Sequence, residues 1–438
     1  MIELSSQVKY RKPVINLKAL SRAKQRTLLF AKKRLEKVAK AGTGKLGAGL
    51  DFLHGFEFIE STTFQGIQTI DASIIGLVGT APQGPVNTPY LVLNGDDTTF
   101  GPSTPGFTIP DALNAIFAQG DGVGMVIVVN VYDGSISSPP SPSDIGDSDI
   151  VGGVDGNGNK TGIKALLDAS SLYGVAPKIL IAPGYSSSKT VADALLAVAS
   201  SLRARVIADS QLGWKDTDII GYAGEFDNQR MILAYPQVRY ENLVSETEEI
   251  MPASPWVAGV MSRTINTKGF NWSTSNQVIL GITGLERPIP YITFHSQDSE
   301  ANYLNSQNIT TIINAQGFRV WGDRSVSTVS PWLFYAIRQQ FDTIEDSIEQ
   351  GNLSMLDRPI NKIFFTLFKG DVQAYLNGLV GAGIINYGKA DFTATDNPSE
   401  QVIQGHVTMR LTITPTPPAE RITELTVLDI APLAQLFS

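Results

Sequence analysis

Cysteine is missing altogether from the 438 residues, which excludes disulfides and thiolate metal sites. Histidine is scarce. His54, His295 and His406 stand far apart in the sequence, too scattered to read as metal ligands, so neither a metal nor a cofactor is expected. No run of about 18 apolar residues occurs, and the start lacks the compact apolar core of a signal peptide. Neither a membrane span nor Sec export is therefore expected, and the chain is expected in the cytoplasm where it is made. Enzyme signatures are absent too. In GTGKLG, Gly42 to Gly47, Leu46 stands where a phosphate-binding loop needs Ser or Thr and Ala39 where it needs its first glycine. GLVGTAPQG, Gly76 to Gly84, has its glycines at the wrong spacing for a dinucleotide site. Ser186 to Ser188 follow a strand that ends IAPG, but G-x-S-x-G is lacking and no motif ties His295 to them. DGNGNKTG, Asp155 to Gly162, opens like a calcium loop, yet Lys160 occupies the glycine position and Leu166 the bidentate glutamate position, so it reads as a turn. No catalytic residue is expected.

What the chain has is length, apolar content and uneven charge. With 42% hydrophobic residues it is long enough for two or three cores. Residues 1–50 hold thirteen Lys and Arg against Glu3 and Glu36, a net of +11, while the whole chain is at −8, which leaves −19 on the remainder. A basic extension thus precedes an acidic body. Its simplest partner is an acidic surface of its own or a neighbouring subunit; nucleic acid and membrane are the less favoured partners. Within it Leu28, Ala31, Leu35 and Val38 recur at helical spacing, predicting an amphipathic helix from Ser21 to Ala41.

Phe52 to Glu60, FLHGFEFIE, reads as a short aromatic strand set apart by residues up to 71. From Ala72 to Ser327 the runs IIGLVG, MVIVVNV, KILIAPG, ARVIAD and RMILAYP alternate in part with helical stretches at Pro110–Gly120 and Thr190–Ala204. Continuous apolar runs suit strands covered on both faces, which predicts a doubly wound, mostly parallel α/β body. Asp133 to Asp149 is Gly-, Ser- and Pro-rich and reads as an exposed loop; Pro255 to Thr267 reads as a helix. Residues 328–414 predict a compact α+β unit, with helices at Pro331–Gln350 and Asn361–Gly381 and strands at Ile384–Thr393 and Val402–Thr414.

In the last of these strands Val407, Met409, Leu411 and Ile413 alternate with polar residues, the period-two mark of one buried face. Pro415, Pro417 and Pro418 follow, excluding a tight two-residue hairpin. Beyond them Ile422, Leu425, Val427 and Leu428 belong to a second β-prone stretch, Arg421 to Leu428, with no adjacent strand to pair with. The spacing admits two partners: another edge of its own sheet, or a sheet in a neighbouring subunit.

Nine segments, in this order, resemble the contractile tail sheath proteins of myovirus-like phages and of related injection machines such as R-type pyocins. They are FLHGFEFIE; ASIIGLVGTAP from Ala72; VNTPYLV from Val86; DGNGNKTGIKALLDA from Asp155; APKILIAPGYSS from Ala176; SPWVAGVMSRTINTKGFNWSTSN from Ser254; LNSQNITTIINAQGFRVWGDRSVS from Leu304; LDRPI from Leu356; and TPTPPAERITEL from Thr414. Residues 1–50 fall outside the resemblance. It implies a subunit that stacks in hexameric rings around an inner tube and collapses on a baseplate signal to drive the tube through a target envelope. Its implied partners are further copies of itself, the tail tube, the baseplate and the tail terminator, with no direct nucleic-acid contact. It also implies that Phe52, Leu53, Phe56, Phe58 and Ile59 form one inter-subunit arm and residues 421–428 the other, both adding to the sheet containing Val407–Ile413. Arg358, Lys362 and Lys369 become candidates for contact with the tube. Trp272 and Trp321 read as family-matched aromatics, favoured for core packing with contact to the tube as the alternative, and Arg319 and Arg324 as cations in want of acidic partners. The implied location is the host cytoplasm during assembly, then the virion tail or a released particle. The alternatives are an α/β-fold enzyme and a non-contractile assembly protein anchored by the basic extension.

Overall fold

All five long apolar runs form strands that lie side by side. β1 (Ile75–Gly79), β3 (Val126–Asn130), β4 (Ile179–Ile181), β5 (Arg205–Asp209) and β6 (Met231–Ala234) are parallel, and every residue in them is buried. The computed structural model describes residues 66–135, 141–291, 298–430 and 432. The basic extension and the arm carrying Phe52, Leu53, Phe56, Phe58 and Ile59 lie outside the described residues, as do positions 136–140 of the Asp133–Asp149 stretch.

β10 (Ile309–Asn314) joins the sheet parallel to β6, and the antiparallel strands β2 (Tyr90–Val92) and β11 (Phe318–Trp321) finish its edges, in the order β11-β10-β6-β5-β4-β1-β3-β2. The sheet is mixed but mostly parallel. The outer side of β11 is covered by the segment before it, through Ile279 N donating to Phe318 O at 2.8 Å and Val320 N to Gln277 O at 3.1 Å. A second, antiparallel sheet of β7 (Val238–Asn242), β8 (Thr247–Met251) and β9 (Ile282–Leu285) follows the RMILAYP strand.

Ten α-helical segments are seen among the described residues: α1 (Ile109–Phe117), α2 (Asp147–Val151), α3 (Ala169–Tyr173), α4 (Lys189–Leu202), α5 (Asp216–Ala223), α6 (Ser254–Lys268), α7 (Glu300–Ser306), α8 (Tyr335–Gly351), α9 (Lys362–Gly381) and α10 (Ser399–Val402). α1 and α6 each begin with a proline in the first turn, where a missing N–H costs nothing. They pack so closely that a Cβ on Gly259 would stand 2.7 Å from Ile116 O. Asn361 caps α9 by accepting from Phe364 N at 3.0 Å.

Two predicted boundaries move, each for a visible reason. α8 starts at Tyr335, because the preceding residues pair as extended chain with the end of the body: Arg324 bridges Phe334, and Ser325 N donates to Leu333 O at 2.8 Å. The last strand, β13 (Arg410–Pro415), starts at Arg410. Ser399–Val402 is helical, and Asn397 ties down Thr408 through both the N–H and the C=O of that residue, so the ladder begins only where Arg410 meets Asp391.

An ion-pair row fixes α8 to the body. Asp342, Asp346 and Glu349 face Arg230, Lys178 and Arg203, with Lys178 Nζ to Asp346 Oδ2 at 2.6 Å and Arg203 to Glu349 at 2.7 Å. Arg338 completes the cage around Asp342. The spacing of these acids, three or four apart, puts them on one face of the helix.

Candidate assembly surface

After α9, β12 (Ile385–Asp391) and β13 form a two-stranded antiparallel sheet that joins no other strand among the described residues. Gly388 pairs with Ile413 and Ala390 with Leu411 on the face toward α9, whereas Tyr387 and Lys389 pair with Thr414 and Thr412 on the outer face. The predicted alternation is borne out. Val407, Met409, Leu411 and Ile413 are each half-buried and their polar neighbours exposed, although Val407 and Met409 precede the ladder itself. On β12 the inward Ile385, Gly388 and Ala390 are buried, so the cover that the half-buried residues want is missing on the β13 side. Among the described residues the outer edge of β13 is left open, whereas on β12 the Gln373 side chain of α9 already donates to Gly388 O at 3.0 Å and accepts from Ala390 N at 2.9 Å; a lone two-stranded pair is marginal in water.

Among its described residues the tail beyond Pro415 forms no strand. From Arg421 to Ile430 every residue is exposed, with Leu425 at 89% and Leu428 at 87%. Ile422 and Val427 are nearly as open. Among the described residues the tail therefore pairs with no other edge of its own sheet, one of the two partners that the spacing admits. The base of the tail behaves differently. Arg324, whose acidic partner is not evident from sequence spacing, is held by Glu420 through two bonds of 2.6 Å each. The buried Gln340 meets the backbone of Thr416 at both its N–H and its C=O. Arg319 pairs instead with backbone carbonyls, those of Ala315 and Asn276, each at 2.9 Å.

The three cations proposed for the tube are not equivalent. Lys362 and Lys369 stand two turns apart on α9 and line one open groove with Phe365, Asp391 and Phe392. Lys369 already donates to Asp391 at 2.7 Å. Arg358 is not part of that groove, and its Nε donates to Ser354 O. α9 also exposes Ile363, at 68%, and Leu367, apolar residues that the periodicity would assign to a core. Of the two tryptophans, Trp321 packs edge-on against Tyr291, but Trp272 is half exposed beneath the Lys268 ammonium. The core reading of Trp272 is corrected: Gly269 ends α6, and the indole lies along the last turn of that helix.

At the carboxyl ends of the parallel strands, where such sheets hold ligands, most polar side chains are taken up by the backbone or by one another, although the buried Ser210 hydroxyl finds no partner among the described residues. Asn130 bonds Ala81 at both backbone groups and also Gln83 O and Tyr132. Thr108 Oγ1 accepts from Thr80 N at 3.1 Å. Ser186 and Ser254 both donate to the fully buried Asp209, the Ser254 hydroxyl at 2.5 Å and its amide at 2.7 Å. Burial pushes Asp209 up to about 6. Ser188 donates to Asp147. His295 lies outside the described residues.

Residues 158–326 match the family described as phage tail sheath protein central domain, and residues 327–428 that described as phage tail sheath C-terminal domain. Over 460 residues the chain is 31% identical to the tail sheath protein of Burkholderia phage BcepMu, covering 85% of this chain and 96% of that protein. It is 32% identical over 362 residues to a putative prophage major tail sheath protein of Pseudomonas aeruginosa, covering 80% of this chain and 89% of that one. Among solved structures it resembles the helical sheath of the anti-feeding prophage in the contracted state, with a TM-score of 0.63 at 18% identity over 86% of this chain and 99% of that one. The contracted sheath complex of an extracellular contractile injection system, PVC, gives 0.64 at 16% identity over 87% of this chain and 99% of that one.

Proposed function

Since this chain belongs to the phage tail sheath family, we propose that it is a structural subunit of a contractile sheath, whose copies stack as hexameric rings around an inner tube and collapse to drive the tube through a target envelope. The observation that carries the reading is the pairing of an unfinished two-stranded sheet with an exposed, β-prone tail in one chain. A strand that finds no partner at home and a sheet short of strands complement each other between copies. Main-chain hydrogen bonds form whatever the side chains are, so such a seam can persist while the subunit bodies rotate.

The residues then take these roles. Phe52, Leu53, Phe56, Phe58 and Ile59 form the N-terminal arm, and Ile422, Leu425, Val427 and Leu428 the C-terminal one. Val407, Met409, Leu411 and Ile413 belong to the receiving sheet. The chain divides into a basic extension (1–50), an arm and linker (51–71), a body (72–327), a C-terminal unit (328–414) and the tail (415–438), a division supported by the meeting of the two family matches at 326 and 327. A doubly wound body is supported by α4 and α6, both of which pack on β4 and β5, strands buried throughout. Lys362 on α9, with the exposed Ile363 and Leu367, is the best-presented of the tube-facing candidates. Baseplate and terminator proteins close the two ends of the stack. The machine assembles in the host cytoplasm and works in the virion tail or a released particle. The work is stored as unfavourable packing between bodies, and about one or two kcal/mol per subunit suffices when many copies switch together.

Negative-stain microscopy tests this. Purified full-length chain should form tubes of uniform width, and a chain ending at Glu420 should not. Discrete particles from the full-length chain would overturn the reading.

A further inference from the structure

The five residues between β13 and the exposed tail are not a loose linker. Gln340, fully buried on α8, donates from Nε2 to Thr416 O at 2.9 Å and accepts from Thr416 N at 3.0 Å, pairing with that residue much as a strand would. Thr416 Oγ1 donates to Ile384 O at 2.8 Å, and Asn386 Nδ2 to Pro415 O at 2.9 Å. Pro417 and Pro418 come next and fix their own φ angles. Glu420 then closes on Arg324 with two bonds of 2.6 Å, the planar fork geometry in which Arg–carboxylate pairs are strongest. Arg324 is steadied by the Phe334 ring, 5.9 Å away. One residue later burial ends, since Arg421 to Ile430 are exposed throughout.

We infer that Gln340 and Arg324 are the positioning residues of the C-terminal arm: they hold Pro415–Glu420 as a stalk fixed to the home subunit, and the mobile arm begins at Arg421. The inference rests on the arm reading above and places the pivot past the prolines, not among them. It also limits reach. The arm strand, Arg421 to Leu428, can span at most about 29 Å, so the edge that receives it lies within that distance of Glu420. Any rearrangement of the lattice that asks for more must first open the Arg324–Glu420 pair.

Hydrogen exchange read by mass spectrometry on dilute, unassembled full-length chain tests the stalk. In the parent chain the amide of Thr416 should be protected, while 422–430 exchange at the rate of unstructured chain. Arg324→Glu should lower protection across 415–420 by roughly tenfold and leave the unfolding temperature of the body unchanged. Combining it with Glu420→Arg should restore the protection, which a merely structural loss would not allow. If 415–420 exchange as fast as 422–430 in the parent chain, or if the reversed pair gives no recovery, the stalk is refuted. The arm reading fails separately: a chain ending at Glu420 that still formed tubes would remove the arm while leaving protection at Thr416 intact.

Discussion

Arg324 and Glu420, 96 positions apart, are joined side by side by two hydrogen bonds of equal length. The pair welds the end of the body to the base of the tail, and the residues beyond it are exposed. Being part-exposed, it is open to screening: the Debye length falls from about 10 Å at 0.1 M salt to about 3 Å at 1 M. Trypsin must draw several residues around Arg421 into an extended form in order to cut there. Cleavage after Arg421 in unassembled chain should accelerate several-fold in 1 M salt or in Arg324→Gln, with Arg410 in β13 spared, as read by intact-mass analysis over time.

The exposed tail residues predict a split between stability and assembly. Leu425→Asp and Leu428→Asp remove no buried contact, so the unfolding transition of the isolated chain should shift by less than about 0.5 kcal/mol. Tube formation should nevertheless be abolished under the microscope, because a charge would enter the seam between copies.

Asp342 is the most heavily committed carboxylate on α8. Its side chain is 3% exposed and carries Arg230 and Arg338 together. Asp342→Ala strands both guanidinium groups and should cost about 3–5 kcal/mol in denaturant unfolding. Asp193→Ala, in a half-exposed pair with Lys189 one helical turn away, should cost under about 0.5 kcal/mol.

Two glycines should respond in opposite directions. Gly259→Ala drives a methyl against Ile116 O where α1 and α6 meet and should destabilise by roughly 1–3 kcal/mol. Gly370→Ala, in the interior of α9 with nothing within 4 Å of its Cβ, should stabilise the isolated chain by about 0.5–1 kcal/mol.

The pH dependence follows from two buried acids. Burial pushes Asp209 up to about 6, and burial with the nearby Glu420 does the same for Asp323, from an ordinary 3.8. A carboxyl whose folded pKa is raised binds its proton more tightly in the folded state, so its stabilisation is full below about 4 and is lost as pH rises through 6. Calorimetry should show the midpoint falling between pH 4.5 and 7. Asp209→Asn should remove a share on the order of 3 kcal/mol. Asp391 and Asp396 act in another window. Held down to about 2 by Lys369 and Lys389 and by Arg410, they lose their contribution only as pH falls below about 4.

The body was legible in the sequence because strands covered on both faces read as unbroken apolar runs: Ile75–Gly79 and Arg205–Asp209 could be found without any tertiary information. β10 was harder to find, since its apolar residues are interrupted by Thr310 and Thr311, both buried here. The antiparallel sheet of β7, β8 and β9 escaped because Glu241, Glu248 and Glu249 give it the polarity of a loop. In the candidate site, the half-buried alternation through Val407 to Ile413 was visible at once. The anchoring of the tail was not. Gln340 is one of several polar residues buried on α8, beside Arg338, Gln339, Asp342, Thr343 and Ser347, so nothing in the local pattern singles out its bond to Thr416. The link between Arg324 and Glu420 left no periodic trace at all.

The large sheet ends on one side in a strand of three residues and on the other in an edge already occupied by residues 276–279, whereas in the two-stranded sheet the rim of β13 is open and that of β12 is held in part by Gln373. Unassembled copies in a crowded pool are therefore kept from joining through the apolar sheet of the body. Clumping by that route is discouraged, which leaves the rim of β13 free to be filled in order.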